Sequence, residues 1–298
     1  MFTEFTYSLR RYLWQILGWG ITFSLVALYL MSLYKPLVEQ QAQMLSLVKA
    51  YGENFMAFFG GGGDFLSPGG YLDFGFFSYM PVVAGIFAVI FGAGLLVGDE
   101  EKGTLDLIMA HPISRTSLFW GRLLALVVAL MGILLLTWVG FALGIPMAGW
   151  DINPFVLLLP HLTMWALLLL IGALALFLSL VIPSRTLAAS LSAGLLVASY
   201  FVTSLARINN QLKTLNDFSP MKYFQGGNAL DGLNWQYFLG LLGFTVLFIL
   251  LAWLLFQRRD IRVGGEGSWT LPKFSLDMMW DWSKWGKKET IAQKTKGD

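Results

Sequence analysis

The chain has no cysteine. A disulfide framework, a thiol nucleophile and a thiolate metal site are therefore excluded. Histidine is almost as scarce: His111 and His161 are the two present, and no H-E-x-x-H pair exists to hold a catalytic zinc. Neither the nucleophile elbow G-x-S-x-G nor the phosphate-binding G-x-x-x-x-G-K-[ST] occurs, so the chain brings no standard P-loop of its own to ATP. Charge is the third shortage. Only 13% of residues are Asp, Glu, Lys or Arg, against about 25% in soluble domains.

What replaces them is apolar: 56% of the chain is hydrophobic and 15% aromatic, with 12 tryptophans. This is a membrane composition. Six intervals carry no Asp, Glu, Lys or Arg: 12–34, 74–98, 123–150, 152–184, 186–206 and 232–257. Each is long enough for the roughly 20 residues that a spanning helix needs. Allowing for Pro154, Pro160 and Pro183, the expected spans are 12–34, 75–98, 120–148, 156–182, 186–206 and 235–257. The expectation is an all-α integral membrane protein, with a six-helix domain over 1–262 and a Trp-rich amphipathic tail over 263–298.

The first interval follows Arg10 and Arg11 and ends at Leu33-Tyr34-Lys35-Pro36. It is too long for the apolar core of a signal peptide and reads as a retained helix. Residues 2–11 read as an interfacial helix with Phe2, Phe5 and Leu9 on one face, or as a frayed terminus. With six spans, both termini share a side. Fifteen of the 20 basic residues then fall on that side and five on the other, which assigns the termini to the cytoplasm. Two outer segments are long. One holds Gly60-Gly61-Gly62-Gly63, a flexible turn rather than a phosphate cradle, since no lysine accompanies it. The other, 207–231, reads as a surface loop or as short helices dipping back into the membrane. In the tail, Phe274, Met278, Trp282 and Trp285 recur at helical spacing and suit a lipid interface or a partner subunit.

Residues 98–122, GDEEKGTLDLIMAHPISRTSLFWGR, join the second and third intervals. Leu105, Ile108 and Met109 share a helical face, with three acids, Asp99, Glu100 and Glu101, before them. Pro112 disfavours helix at His111 and ends the segment, and Ser114 or Thr116 can cap the next helix. Gly103 would let another backbone come close. A short helix hinged at Pro112 is one reading; a solvated connector is the other.

The run Glu101-Lys102-Gly103-Thr104-Leu105, followed by Pro112-Ile113-Ser114-Arg115, resembles the E-x-G-T-L and P-x-S-R signature of type-2 ATP-binding-cassette (ABC) export permeases. The six spans, the large first outer loop and Phe256-Gln257-Arg258-Arg259-Asp260-Ile261 resemble that family too, over residues 10–262. The resemblance implies a type-2 exporter permease fold in a prokaryotic cell membrane, with a cytoplasmic coupling helix between the second and third spans. It implies two permease copies, or two related chains, above two copies of a separate ATPase. No cofactor is expected in this chain; ATP and magnesium would be bound by the ATPase. Glu100, Glu101, Gly103, Thr104, Leu107, Pro112 and Arg115 are carried over as coupling residues or their support. Arg185, after Pro183-Ser184, is a minor ATPase contact or an ordinary positive-inside anchor. Gly94 and Gly98, or Gly140 and Gly144, have the spacing for packing between two copies.

No charged residue lies deep in a span, which argues against a proton relay or a sodium site. An apolar aromatic interior is compatible with an amphiphilic or lipid-like cargo. An anchor or assembly factor on the same scaffold is the second functional class. An intramembrane enzyme is the third, with Ser190, Ser192 and Ser199 available on the fifth span but no His or carboxylate near them in sequence.

Overall fold

An apolar run inside a bilayer has no water for its amides, so it satisfies them within itself by forming a helix. The structure, a computed structural model, describes residues 1–40, 53–60, 65–110, 113–182 and 184–258 and is all-α, with no strand among them. Gly61, Gly62, Gly63 and the tail 263–298 lie outside the described residues. Helix α1 covers Phe2–Glu39, α2 Glu53–Phe58, α3 Pro68–Leu72, α4 Met80–Gly94, α5 Val97–Glu101 and α6 Leu105–Met109. Helix α7 covers Arg115–Ala148, α8 Leu158–Val181, α9 Arg185–Ala206, α10 Lys213–Asn216 and α11 Trp235–Arg258.

Five described helical stretches are long and apolar enough to cross a membrane: α1, α7, Pro154–Val181, α9 and α11. The expected span over 75–98 is not one straight rod. Helix α3 passes into a π turn over Asp73–Phe77, and α4 follows at a 45° bend, so a sixth crossing exists if this broken pair counts as one. Gly69-Gly70, Gly75 and Pro81 sit around the break, where a helix has least to hold it straight. At its other end α4 stops at Gly94, short of the expected 98. Residues 2–11 are the first turns of α1, continuous with the span. Phe5 and Leu9 pack on the core while Phe2 stays exposed, so their expected common face divides.

Helix α8 is the buried centre, with α4, α9 and α11 packed on it. Helices α1 and α7 form the closest pair and run in the same direction. Their seam corrects one expectation. A Cβ on Gly140 would lie 2.4 Å from the Ser24 carbonyl oxygen, and one on Gly144 would lie 2.5 Å from Met31 Cβ. Both glycines are buried inside the chain, and neither offers a face to a second copy. Local chemistry sets the helix ends. Ser114 Oγ accepts the Ser117 N–H at 3.1 Å to start α7. Gly149, at φ +69°, ends it, with Trp150 N–H donating to the Ile145 carbonyl in a Schellman turn.

At the end opposite the elbow, 207–231 is a set of short turns rather than a long helix. The Ser219 hydroxyl lies 2.6 Å from that of Ser199 and 2.8 Å from that of Thr203, tying this loop to α9. Asp73 accepts the Gly227 N–H at 2.6 Å and ties the same loop to the π turn. His161 is buried there, its Nδ1 donating to the Leu157 carbonyl and its ring edge-on to Phe77 and Phe141.

Candidate functional site at the elbow

The acids, glycine and threonine of 99–104 fold into one helix end. Helix α5 closes with Gly103 in the left-handed region at φ +66°. Its N–H donates to the Glu100 carbonyl at 3.0 Å, and Thr104 N–H donates to the Asp99 carbonyl at 2.9 Å. This is a complete Schellman turn, reinforced by the Thr104 hydroxyl, which also donates to the Asp99 carbonyl. Glycine at 103 is thus required by the turn itself, a reason different from the close backbone approach read from the sequence.

Helix α6 follows with two unlike faces. Leu105 is buried, and Ile108, Met109 and Ile113 pack on the core, as the 105, 108, 109 spacing predicts. Lys102, Thr104 and Leu107 face outward, with Leu107 67% exposed. Between this elbow and Glu4, Tyr7, Arg10 and Arg11 of α1 lies an open groove of about 900 Å³. His111 and Pro112 lie outside the described residues, and with them the expected hinge.

Behind the elbow sits a buried chain of charges that sequence reasoning missed. Arg122 of α7 is 3% exposed. Its Nη1 is 2.8 Å from Asp99 Oδ2 of α5 and donates to the Leu95 carbonyl, also at 2.8 Å. Its Nε is 3.6 Å from Glu4 Oε2 of α1. Asp99 Oδ1 in turn accepts from Arg11 Nη1 at 3.0 Å. Two arginines and two acids thus alternate across three helices, α1, α5 and α7, with the partly exposed Arg11 at one end. Removing one member of such a buried set typically costs about 3–5 kcal/mol, whereas the intact set can be worth little more than a hydrophobic replacement.

The remaining sites named from the sequence are tied to other parts of the same chain. Glu100 is buried. The Glu101 carboxylate accepts the Arg185 N–H at 3.1 Å, holding the first turn of α9, whose N-cap is Ser184. The Arg185 guanidinium lies over Gly94 and Gly98; a Cβ on those residues would come within 2.9 Å and 3.5 Å of it. This corrects the reading of Gly94 and Gly98 as packing between copies: they form a slot for Arg185 of the same chain. Arg115 Nη1 donates to the Phe256 and Gln257 carbonyls at 3.4 Å and caps the end of α11. Elbow residues thus reach α1, α4, α7 and α9, and Arg115 adds α11. The one signal in the sequence was that Asp99 and Arg122 sit at the rims of apolar runs, where an unpaired charge is costly.

Comparison with known proteins adds two findings. A family model described as ABC-2 family transporter protein matches residues 9–261. An uncharacterized protein of Bacillus subtilis (strain 168), YhcI, is 27% identical over 204 residues, which is 60% of this chain and 65% of that relative. The chain thus matches slightly under two thirds of that relative's length.

Proposed function

This chain belongs to the ABC-2 transporter family, and on that premise we propose that it is the membrane permease subunit of an ABC exporter, driven through its elbow by a separate ATPase. One observation supports the coupling role above the others. Helix α6 presents Thr104 and Leu107 outward while Asp99, Glu101 and Leu105 beside it are locked to α1, α7, α9 and the core. A push on the outward face is therefore delivered to several spanning helices together. In this reading the elbow end, with both termini, is cytoplasmic. Two permease copies pair, and two ATPase copies bind ATP and magnesium beneath them. Lys102, Thr104 and Leu107 make the contact; Glu100, Glu101, Gly103, Arg115 and Arg185 support it from within. The cargo is amphiphilic, in keeping with walls that offer hydrocarbon and few charges.

The enzyme alternative has little to stand on. Ser192 donates to the Ala188 carbonyl and Ser199 pairs with Ser219; neither hydroxyl meets an imidazole or carboxylate among the described residues.

The test is purification of the chain in mild detergent with quantification of the ATPase that accompanies it. The wild type is expected to bring down an ATPase at an equal ratio. Leu107→Asp is expected to lose it while keeping a monodisperse, thermally unchanged permease. A well-folded wild type that brings down no ATPase would sink the reading.

A further inference from the structure

We propose a lipid-binding site on the flank of this protein: a groove between α9 and α11 that takes one acyl chain of a zwitterionic phospholipid-like amphiphile. The groove has a volume of about 610 Å³, within the ~300–1,000 Å³ range of small-molecule sites. Its floor is α8, at Leu170 and Leu174. Its walls are α9, at Leu195 and Ala198, and α11, at Gly240 and Phe244. All three helices are long and apolar enough to span a membrane, so the medium outside the groove is hydrocarbon rather than water. A Cβ on Gly240 would meet nothing within 4 Å, so the wall is open at its middle.

What separates this groove from an ordinary lipid-facing surface is its polar roof. Residues 217–223 close the end away from the elbow, with Asp217, Ser219 and Tyr223 lining it. The roof is built rather than draped. Ser219 Oγ donates to the Ser199 carbonyl at 3.1 Å, Met221 N–H donates to Ser199 Oγ at 3.2 Å, and Tyr223 OH donates to the Asp217 carbonyl at 2.8 Å. At its outer edge Lys222 donates to the Asp217 carboxylate, which raises the Lys222 pKa and keeps the ammonium charged. Both partners remain accessible to solvent. An ammonium and a carboxylate side by side match the phosphate and amine of a zwitterionic headgroup, while the apolar trough below matches its chain. A purely hydrocarbon ligand would gain nothing from the pair.

The inference rests on the membrane-spanning reading of α8, α9 and α11 and not on any ATPase, so it stands or falls by itself. The chain is reconstituted alone into phosphatidylethanolamine and phosphatidylglycerol vesicles. These hold a trace of phosphatidylethanolamine carrying a diazirine on one acyl chain, and adducts are mapped after illumination. Adducts are expected to concentrate on Leu174, Leu195 and Phe244. Gly240→Phe, and separately Ala198→Phe, are expected to reduce them by about tenfold while leaving adducts at the exposed Leu25 and Tyr29 of α1 unchanged. The Leu25 and Tyr29 signal and an unchanged melting temperature guard against misfolding. Lys222→Ala is expected to abolish the preference for the zwitterionic probe over a phosphatidylglycerol probe. Adducts spread evenly over every exposed face and indifferent to both plugs would mean ordinary surrounding lipid and overturn the site. Equal labelling of the wild type by both probes would overturn the headgroup assignment.

Discussion

Arg122 and Asp99 meet at 2.8 Å in the protein interior, one from the first turns of a spanning helix and the other from the elbow that precedes it. The pair is joined at one end by Arg11 and at the other by Glu4. Removing one charge leaves its partners buried and uncompensated. Arg122→Met is expected to destabilise the protein by about 3–5 kcal/mol. The double variant Arg122→Met with Glu4→Gln is expected to recover part of that loss, because it no longer strands the Glu4 charge, whereas Asp99 keeps Arg11. Inactivation half-life in detergent, followed by size-exclusion chromatography, is the measurement; a single variant as durable as the wild type would remove the network from the account.

Gly103 tests the elbow without touching the bundle. A side chain at φ +66° costs on the order of 1–2 kcal/mol, and a β-branched one more. Asparagine tolerates that region better. Gly103→Val is expected to lower ATPase recovery severalfold with little change in melting, and Gly103→Asn to retain most of it. Equal recovery from the two variants would show that the turn is not what presents α6.

The α1–α7 seam and the open wall of α11 predict opposite results for the same kind of change. A Cβ on Gly140 collides with backbone at 2.4 Å, whereas one on Gly240 meets nothing within 4 Å. Gly140→Ala is expected to reduce the yield of monodisperse protein sharply, since backbone cannot move aside as a side chain can. Gly240→Ala is expected to stay within about 0.5 kcal/mol of the wild type. Comparing expression-normalised chromatograms decides between them.

Two serines carry the starts of the helices that meet the elbow. Ser114 caps α7 and Ser184 caps α9. Each Ser→Ala change is expected to cost about 1 kcal/mol. The two caps share no bonding partner, so the double variant should show the sum within about 0.5 kcal/mol. A larger combined loss would reveal coupling through the elbow.

Five long apolar helices were legible because charge is excluded from hydrocarbon, and its absence marks out intervals as sharply as any motif. Ser114 as a cap and the 105, 108, 109 face were legible because both depend on local chemistry alone. The Asp99–Arg122–Glu4–Arg11 network was not, since it depends on α1 lying beside α7, and nothing in either segment names the other. The break between α3 and α4 was also hidden: Phe74 to Phe77 is as apolar as a straight helix would be, and apolarity carries no record of register. Small-residue spacing misled for a related reason. Gly140 and Gly144 do mark a close approach, but spacing cannot say whether the neighbour belongs to the same chain.

Helices α1 and α7 have a mechanical consequence. Helix α7 alone has 34 residues, or about 50 Å of length at ~1.5 Å per residue, well beyond the ~30 Å of bilayer hydrocarbon. Seamed to α1 with backbone near contact at Gly140, the two form a doubled beam longer than the hydrocarbon is thick, with Arg122 and Glu4 meeting near its elbow end. A beam of that length pivoting by about 5° displaces its tip by ~4 Å, close to the width of one strand of lipid tail. Leverage, rather than reach, is what that length supplies: a small rotation at the elbow end would arrive at the other end of α7 enlarged to the width of a lipid tail.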